Sequence, residues 1–287
     1  VISALFLAQP VSNALASIVS GAILEMDGIL GLKGWQWVFI LESIPAVVLA
    51  FVVLRQMTDR PEQAKWLDAD ERTWLEAELE AERKDVESRG TLNLWQALTD
   101  RRVMILSLIY LGMMTATYGI TFFLPQIIKG FGLSNLMTGF VSAVPYTIGA
   151  FGLLAWGFSS DRRKERHGHL MVAMIVAAVG LAGAGIFGVS WWALAAMALT
   201  TVGLYGSRPA FWPMPSIFLT GTAAAAGIAL INSIGALGGY IGPFVVGWIK
   251  DSTNSFENGL YFLAACALAS AAITKFATQP ARKGLRP

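Results

Sequence analysis

Two histidines and one cysteine are all that 287 residues hold of the side chains that most often bind metals or act as nucleophiles. The single cysteine, Cys266, leaves no partner for an intrachain disulfide, and its place in an apolar run is that of a small packing residue. His167 and His169 stand in a short basic stretch with no cysteine or carboxylate cluster beside them, so solvated loop histidines are expected rather than a metal pair. Charge is scarce as well. Only 14% of the residues are charged and 55% are hydrophobic, against about 25% charged in an ordinary soluble domain.

The charges are clustered, and eight long apolar runs lie between them, near 2–24, 35–54, 103–128, 137–159, 170–189, 191–219, 223–249 and 259–276. Each has the roughly 18 or more residues that cross a bilayer core as a helix. Runs with almost no polar face do not suit buried helices of a soluble protein. Barrel strands would alternate in polarity over about ten residues, which these runs do not. The expected class is an all-α polytopic membrane protein, because in lipid the backbone polar groups must be satisfied within each segment. Such a chain is not expected to be an enzyme, since both histidines share one loop and the cysteine has no base beside it. No cofactor and no metal are implied.

If the spans alternate, the basic residues of 55–102, Arg162 to Arg166 and the C-terminal Lys275, Arg282, Lys283 and Arg286 fall on one side. Lys33, Lys129 and Lys250 fall on the other. The positive-inside rule makes the first side cytoplasmic, with both chain ends there. The chain opens at Val1 directly into an apolar run without a basic leader, which reads as a chain whose front is missing rather than a cleavable signal peptide.

The one soluble-looking segment is 55–102. Within it, "LDADERTWLEAELEAERK" carries Asp68 and Glu71 at the spacing that satisfies the free amides of a helix start, with Leu75 and Leu79 sharing a face. The organisation expected is 1–54, the end of one helical bundle; 55–102, a cytoplasmic linker with a surface helix; and 103–287, a complete six-helix bundle. Acidic residues balance the basic ones in the linker, so nucleic acid is not an expected partner.

Three places combine polar chemistry with apolar surroundings. "LYGSRPAFWPMPSIFL" (204–219) holds Arg208 with Pro209, Pro213 and Pro215 inside a span. An unpaired arginine facing lipid is disfavoured by at least ~2.5 kcal/mol, so Arg208 faces a watery cavity, a carboxylate or a bound anion. Its guanidinium stays charged and matches a carboxylate. The prolines are expected to open the helix there, and Pro125 to break the helix before Gln126. Glu42 lies within a span, where structural pairing and a proton-linked role both stand open. Along 221–253, Ala223 to Ala226, Gly227, Gly235, Gly238, Gly239 and Gly242 form a small-residue surface suited to close, sliding helix contact. Asn232 on it serves an interhelical hydrogen bond or a solute.

The loop "GFSSDRRKERH" places Gly157, Asp161, Arg162, Arg163 and Arg166 between two spans, as a latch on helix ends or as a positive-inside anchor. Its G-x-x-x-D-R-R-x-x-R pattern resembles the cytoplasmic loop motif of the major facilitator superfamily, in its second copy. Counting back, the chain is similar to helices five to twelve. "GTAAAAGIALINSIGALGGYIGPFVVGWIKDST" (221–253), "GWQWVFILESIPAVVLA" (34–50) and "YGITFFLPQIIKGFGLS" (118–134) resemble the anion:cation symporters within it. That resemblance implies a monomeric bacterial inner-membrane carrier that imports a small organic anion with protons by alternating access. In its arrangement the 191–219 helix lines the central cavity, which makes Arg208, Tyr118, Gln126, Tyr146, Trp212 and Asn232 the expected solute contacts. A carrier of neutral solutes, with Arg208 structural, and a shortened chain without activity are the rival readings.

Overall fold

The computed structural model describes residues 2–88, 94–219 and 221–277. Arg89, Arg282, Lys283 and Arg286, which entered the orientation argument, lie outside them. Among the described residues the regular elements are helical: α1 (Ile2–Leu24), α2 (Gly34–Gln56), α3 (Ala69–Ser88), α4 (Leu94–Thr99), α5 (Arg101–Lys129), α6 (Asn135–Arg163), α7 (His167–Phe187), α8 (Trp191–Phe211), α9 (Gly221–Ala236), α10 (Gly238–Thr253) and α11 (Glu257–Ala277).

Among the described residues, seven helical stretches are long and apolar enough to cross a membrane: Ala4–Leu24, Gly34–Gln56, Arg101–Lys129, Asn135–Arg163, His167–Phe187, Ala223–Thr253 and Glu257–Lys275. The eighth expected span corrects to α8, which ends at Phe211 rather than near 219. It buries Thr200, Thr201, Ser207 and Arg208. That polarity is sheltered because α8 packs between α6 and α7, so these side chains meet protein rather than lipid.

Helix starts follow local chemistry. Ser134 accepts from Met137 N–H, Ser190 from Ala193 N–H and Asp100 from Arg102 N–H, each satisfying a free amide of a first turn. In the charged segment, Glu71 accepts from Asp68 N–H at 3.3 Å, and α3 begins at Ala69 as the capping spacing predicts. Arg72 ties the preceding turn to α3 by donating to Ala64 O at 2.9 Å.

Two expectations about breaks are corrected. α5 runs through Pro125 and α8 through Pro209 without interruption. One proline removes a single backbone bond, and the helices packed on either side hold the remainder. The end of α8 comes at Phe211, where Trp212 N–H donates to Arg208 O at 3.1 Å, and Pro213 and Pro215 prevent another turn. The expected 223–249 span stands as one membrane-length stretch, Ala223–Thr253, and α9 gives way to α10 at Leu237, whose φ of -59 and ψ of -27 remain helical. There the backbone tightens, with Leu237 N–H donating to Ile234 O at 3.2 Å.

The glycine-rich surface of α9 and α10 rests on α5. A Cβ added at Gly238 would lie 2.6 Å from Thr115 N and 2.7 Å from Leu111 O, so only glycine permits this backbone approach.

Candidate functional site

The interior between α1, α5 and α6 holds a cavity of about 580 Å³. α1 reaches α6 so closely because glycines meet glycines. A Cβ on Gly21 would stand 2.8 Å from Asn135 O and 3.1 Å from Gly139 Cα. Polar side chains line the cavity: Asn13, Ser17 and Ser20 from α1, Thr121, Gln126 and Lys129 from α5, and Thr138, Ser142 and Tyr146 from α6. Pro125 contributes through what it lacks. Without its N–H, Thr121 O has no backbone partner, and Tyr146 Oη approaches that oxygen at 3.5 Å. Thr201 Oγ1 crosses from α8 to donate to Pro145 O at 2.6 Å, fixing α8 against the α6 wall.

Beside this cavity, Arg208 is 5% exposed. Its Nε is buried without a hydrogen-bond partner, and among the described residues no carboxylate pairs with it. Its Cζ lies 5.4 Å from the centre of the Tyr205 ring, and Tyr110 and Tyr118 complete its electrostatic surroundings. A cation–π contact contributes about 2 kcal/mol when desolvated, less than the several kcal/mol that burying a charge costs. That contact alone therefore does not offset the burial of the guanidinium. Tyr205 Oη in turn accepts from Asn13 Nδ2 at 2.8 Å, which joins the arginine to the cavity wall.

The expected solute contacts separate into three groups. Gln126 and Tyr146 line the cavity. Arg208, Tyr118 and Trp212 gather around Tyr110, whose ring stacks on Phe211 at 5.1 Å and meets Trp212 edge-on at 5.2 Å. Asn232 stands apart, exposed on α9. Arg208 borders the cavity through Tyr205 and Asn13 and does not line it. Glu42 on α2 accepts a hydrogen bond from Ser20, itself a lining residue, so this carboxylate adjoins the cavity.

At the α6–α7 turn, Arg166 Nη1 lies 2.6 Å from Asp161 Oδ1 and donates to Ser160 Oγ at 3.1 Å. The ion pair closes its own turn, with Lys164 in the left-handed region at φ 50. Arg162 and Arg163 are exposed in the last turn of α6. The two histidines are not loop residues, because α7 already begins at His167. Glu165 explains the early start by accepting from His169 N–H at 3.0 Å and from Gly168 N–H. His169 Nδ1 sits 2.6 Å from Glu165 Oε2, and its Nε2 sits 3.1 Å from Ser159 Oγ. Partial burial pushes the Glu165 carboxyl up, but the bonds from Gly168 and His169 outweigh it and hold it below its ordinary value.

Sequence reasoning missed Asn13, Thr121, Lys129, Thr138 and Ser142. Their only signal was polarity at helical spacing, Thr138, Ser142 and Tyr146 recurring every fourth position on one face.

Comparison with known proteins agrees with this architecture. Residues 1–243 match the Major Facilitator Superfamily. A protein of Agrobacterium vitis, whose name assigns it provisionally to tartrate transport, is 47% identical across 95% of this chain and 63% of its own length. A quinolone resistance transporter of Acinetobacter baumannii is 41% identical over 90% of this chain and 59% of its own. The chain thus spans about three fifths of the length of these curated relatives. The crystal structure of the E. coli fucose:proton symporter shares the fold, with a TM-score of 0.53, 12% identity, and coverage of 96% of this chain and 84% of that one. With its membrane-length helices, its helix-lined polar cavity and a match over residues 1–243, this chain belongs to the Major Facilitator Superfamily.

Proposed function

We propose that this chain is the solute-handling part of a secondary active transporter that imports a small organic anion together with protons by alternating access. The observation that carries the reading is Arg208, a buried guanidinium without a carboxylate partner among the described residues, beside a hydroxyl- and amide-lined cavity. A fixed positive charge in surroundings of low dielectric favours a solute carboxylate over a neutral molecule of the same size. The name of the Agrobacterium relative points to the same chemistry. Glu42 is the carboxylate placed for proton coupling, since Ser20 links it to the cavity wall. The linker 55–102 and both chain ends face the cytoplasm in this reading, the carrier acts as a monomer in the inner membrane, and the Gly157–Arg166 turn gates the inward end.

A neutral solute is the second reading, favoured by the fact that Arg208 does not itself line the cavity. Binding to the purified chain separates the two. The first reading expects displacement of a bound dicarboxylate by other carboxylates and none by uncharged sugars. Displacement by sugars alone supports the second.

A further inference from the structure

Ser142 is completely buried on α6, forms part of the cavity wall, and its Oγ has no hydrogen-bond partner. A serine or threonine inside a helix ordinarily satisfies its hydroxyl on the carbonyl one turn back. Its neighbours do so. Thr138 donates to Ser134 O at 2.7 Å and Thr147 to Ala143 O at 2.9 Å on the same helix, and Ser17 on α1 donates to Asn13 O at 2.7 Å. The equivalent bond from Ser142 to Thr138 O is not made, although the geometry of a regular helix offers it.

Several other wall donors are already engaged within the protein. Asn13 donates to Tyr205, Tyr146 reaches Thr121 O, and Lys129 Nζ donates to Leu133 O at 2.8 Å and to Asn135 Oδ1 at 2.7 Å. Ser142 is thus a buried wall donor that serves no bond within the protein. A buried hydroxyl left unpaired is disfavoured, and the structure retains it in place of an alanine that would carry no such cost.

We propose that Ser142 is a specificity-determining residue, which hydrogen-bonds a hydroxyl group on the carbon skeleton of the solute. A hydroxyl both donates and accepts, so it pairs with Ser142 while a cation balances the carboxylates elsewhere. A solute lacking that hydroxyl leaves Ser142 as it stands now, so the site prefers hydroxylated carboxylates over their deoxy counterparts. This inference rests on the reading that the cavity takes small carboxylates.

The test compares L-tartrate with succinate, which share a carbon skeleton and carboxylates and differ in hydroxyls. Binding of each to the purified chain is measured by calorimetry for wild type, Ser142→Ala and Ser142→Cys, with a thermal melt of each variant to establish folding. The expected result is that the wild type prefers tartrate, that Ser142→Ala weakens tartrate binding about tenfold, and that succinate binding does not change. Ser142→Cys, close in volume and a weak donor, falls between them. An equal loss for both acids would show that Ser142 only packs and overturns its role while leaving the carboxylate reading intact. Unchanged tartrate binding in Ser142→Ala, or a wild type indifferent to the hydroxyls, overturns it too. A wild type that binds neither acid overturns the carboxylate reading and this inference together.

Discussion

Asn13 on α1 donates a 2.8 Å hydrogen bond to the hydroxyl of Tyr205 on α8, and the same tyrosine ring carries the Arg208 guanidinium 5.4 Å from its centre. One side chain therefore ties the buried charge to a helix that meets α6 closely at Gly21 and Gly139. If that tie is energetic as well as geometric, Asn13→Ala and Tyr205→Phe are not additive. A double-mutant cycle on thermal unfolding in detergent is expected to give a coupling of about 1 kcal/mol. Additive effects would show that the bond contributes nothing.

Close approach of α10 to α5 depends on Gly238, where a Cβ would meet backbone atoms at 2.6 and 2.7 Å. Backbone cannot rotate away as a side chain can, so Gly238→Ala is expected to destabilise the bundle by about 1–3 kcal/mol. Gly247 is the control on the same helix, since its nearest neighbour would be Phe123 Cζ at 3.6 Å, an ordinary contact. Gly247→Ala should leave the melting temperature unchanged, and equal shifts in the two variants would contradict the packing account.

The α6–α7 turn carries a pH signature. Burial raises and the Gly168 and His169 bonds more strongly lower the Glu165 carboxyl, leaving it below the ordinary 4.5. A depressed carboxylate stabilises the fold above its unfolded value, and that contribution is lost as pH falls through the folded one. Glu165→Gln is therefore expected to lose about 0.5–1 kcal/mol at neutral pH, the worth of a helix-start cap open to solvent. The gap from wild type should close in acid, at and below the usual carboxylate range. A gap independent of pH in a series of melts would remove the charge from the explanation.

Much of this architecture was legible in the residues. Apolar runs of membrane length located the helices, and the Asp68–Glu71 spacing located the start of α3. Arg208 announced itself because a charge in an apolar run needs a partner, and its burial without a carboxylate among the described residues keeps that need open. Pro213 and Pro215 did end α8, but Pro125 and Pro209 misled, because a local rule about broken hydrogen bonds does not include the neighbouring helices that hold α5 and α8 together. The junction of α9 and α10 at Leu237 had no mark of its own among surrounding glycines and apolar residues. Asn13, Thr121 and Ser142 were silent for a related reason. A serine or threonine satisfied by its own helix and one facing a cavity have the same sequence, and only the fold tells them apart.

Glu42 lies on α2 with its carboxylate bonded to Ser20 on the cavity wall. If it carries the coupled proton, Glu42→Gln should still bind the organic anion but no longer take up a proton as it does so. A pH-indicator dye in weakly buffered solution reads this directly. Unchanged proton uptake on anion binding in the variant would assign the coupling to another group.

The most direct test of the account is anion binding to Arg208→Gln, measured by calorimetry against wild type with a dicarboxylate and an uncharged sugar as probes. The charge is removed while the variant melts as wild type does, or higher, since a buried cation without a carboxylate no longer has to be accommodated. The account predicts that dicarboxylate affinity falls at least about tenfold with no gain in sugar binding. Undiminished dicarboxylate affinity in a folded Arg208→Gln chain would contradict it.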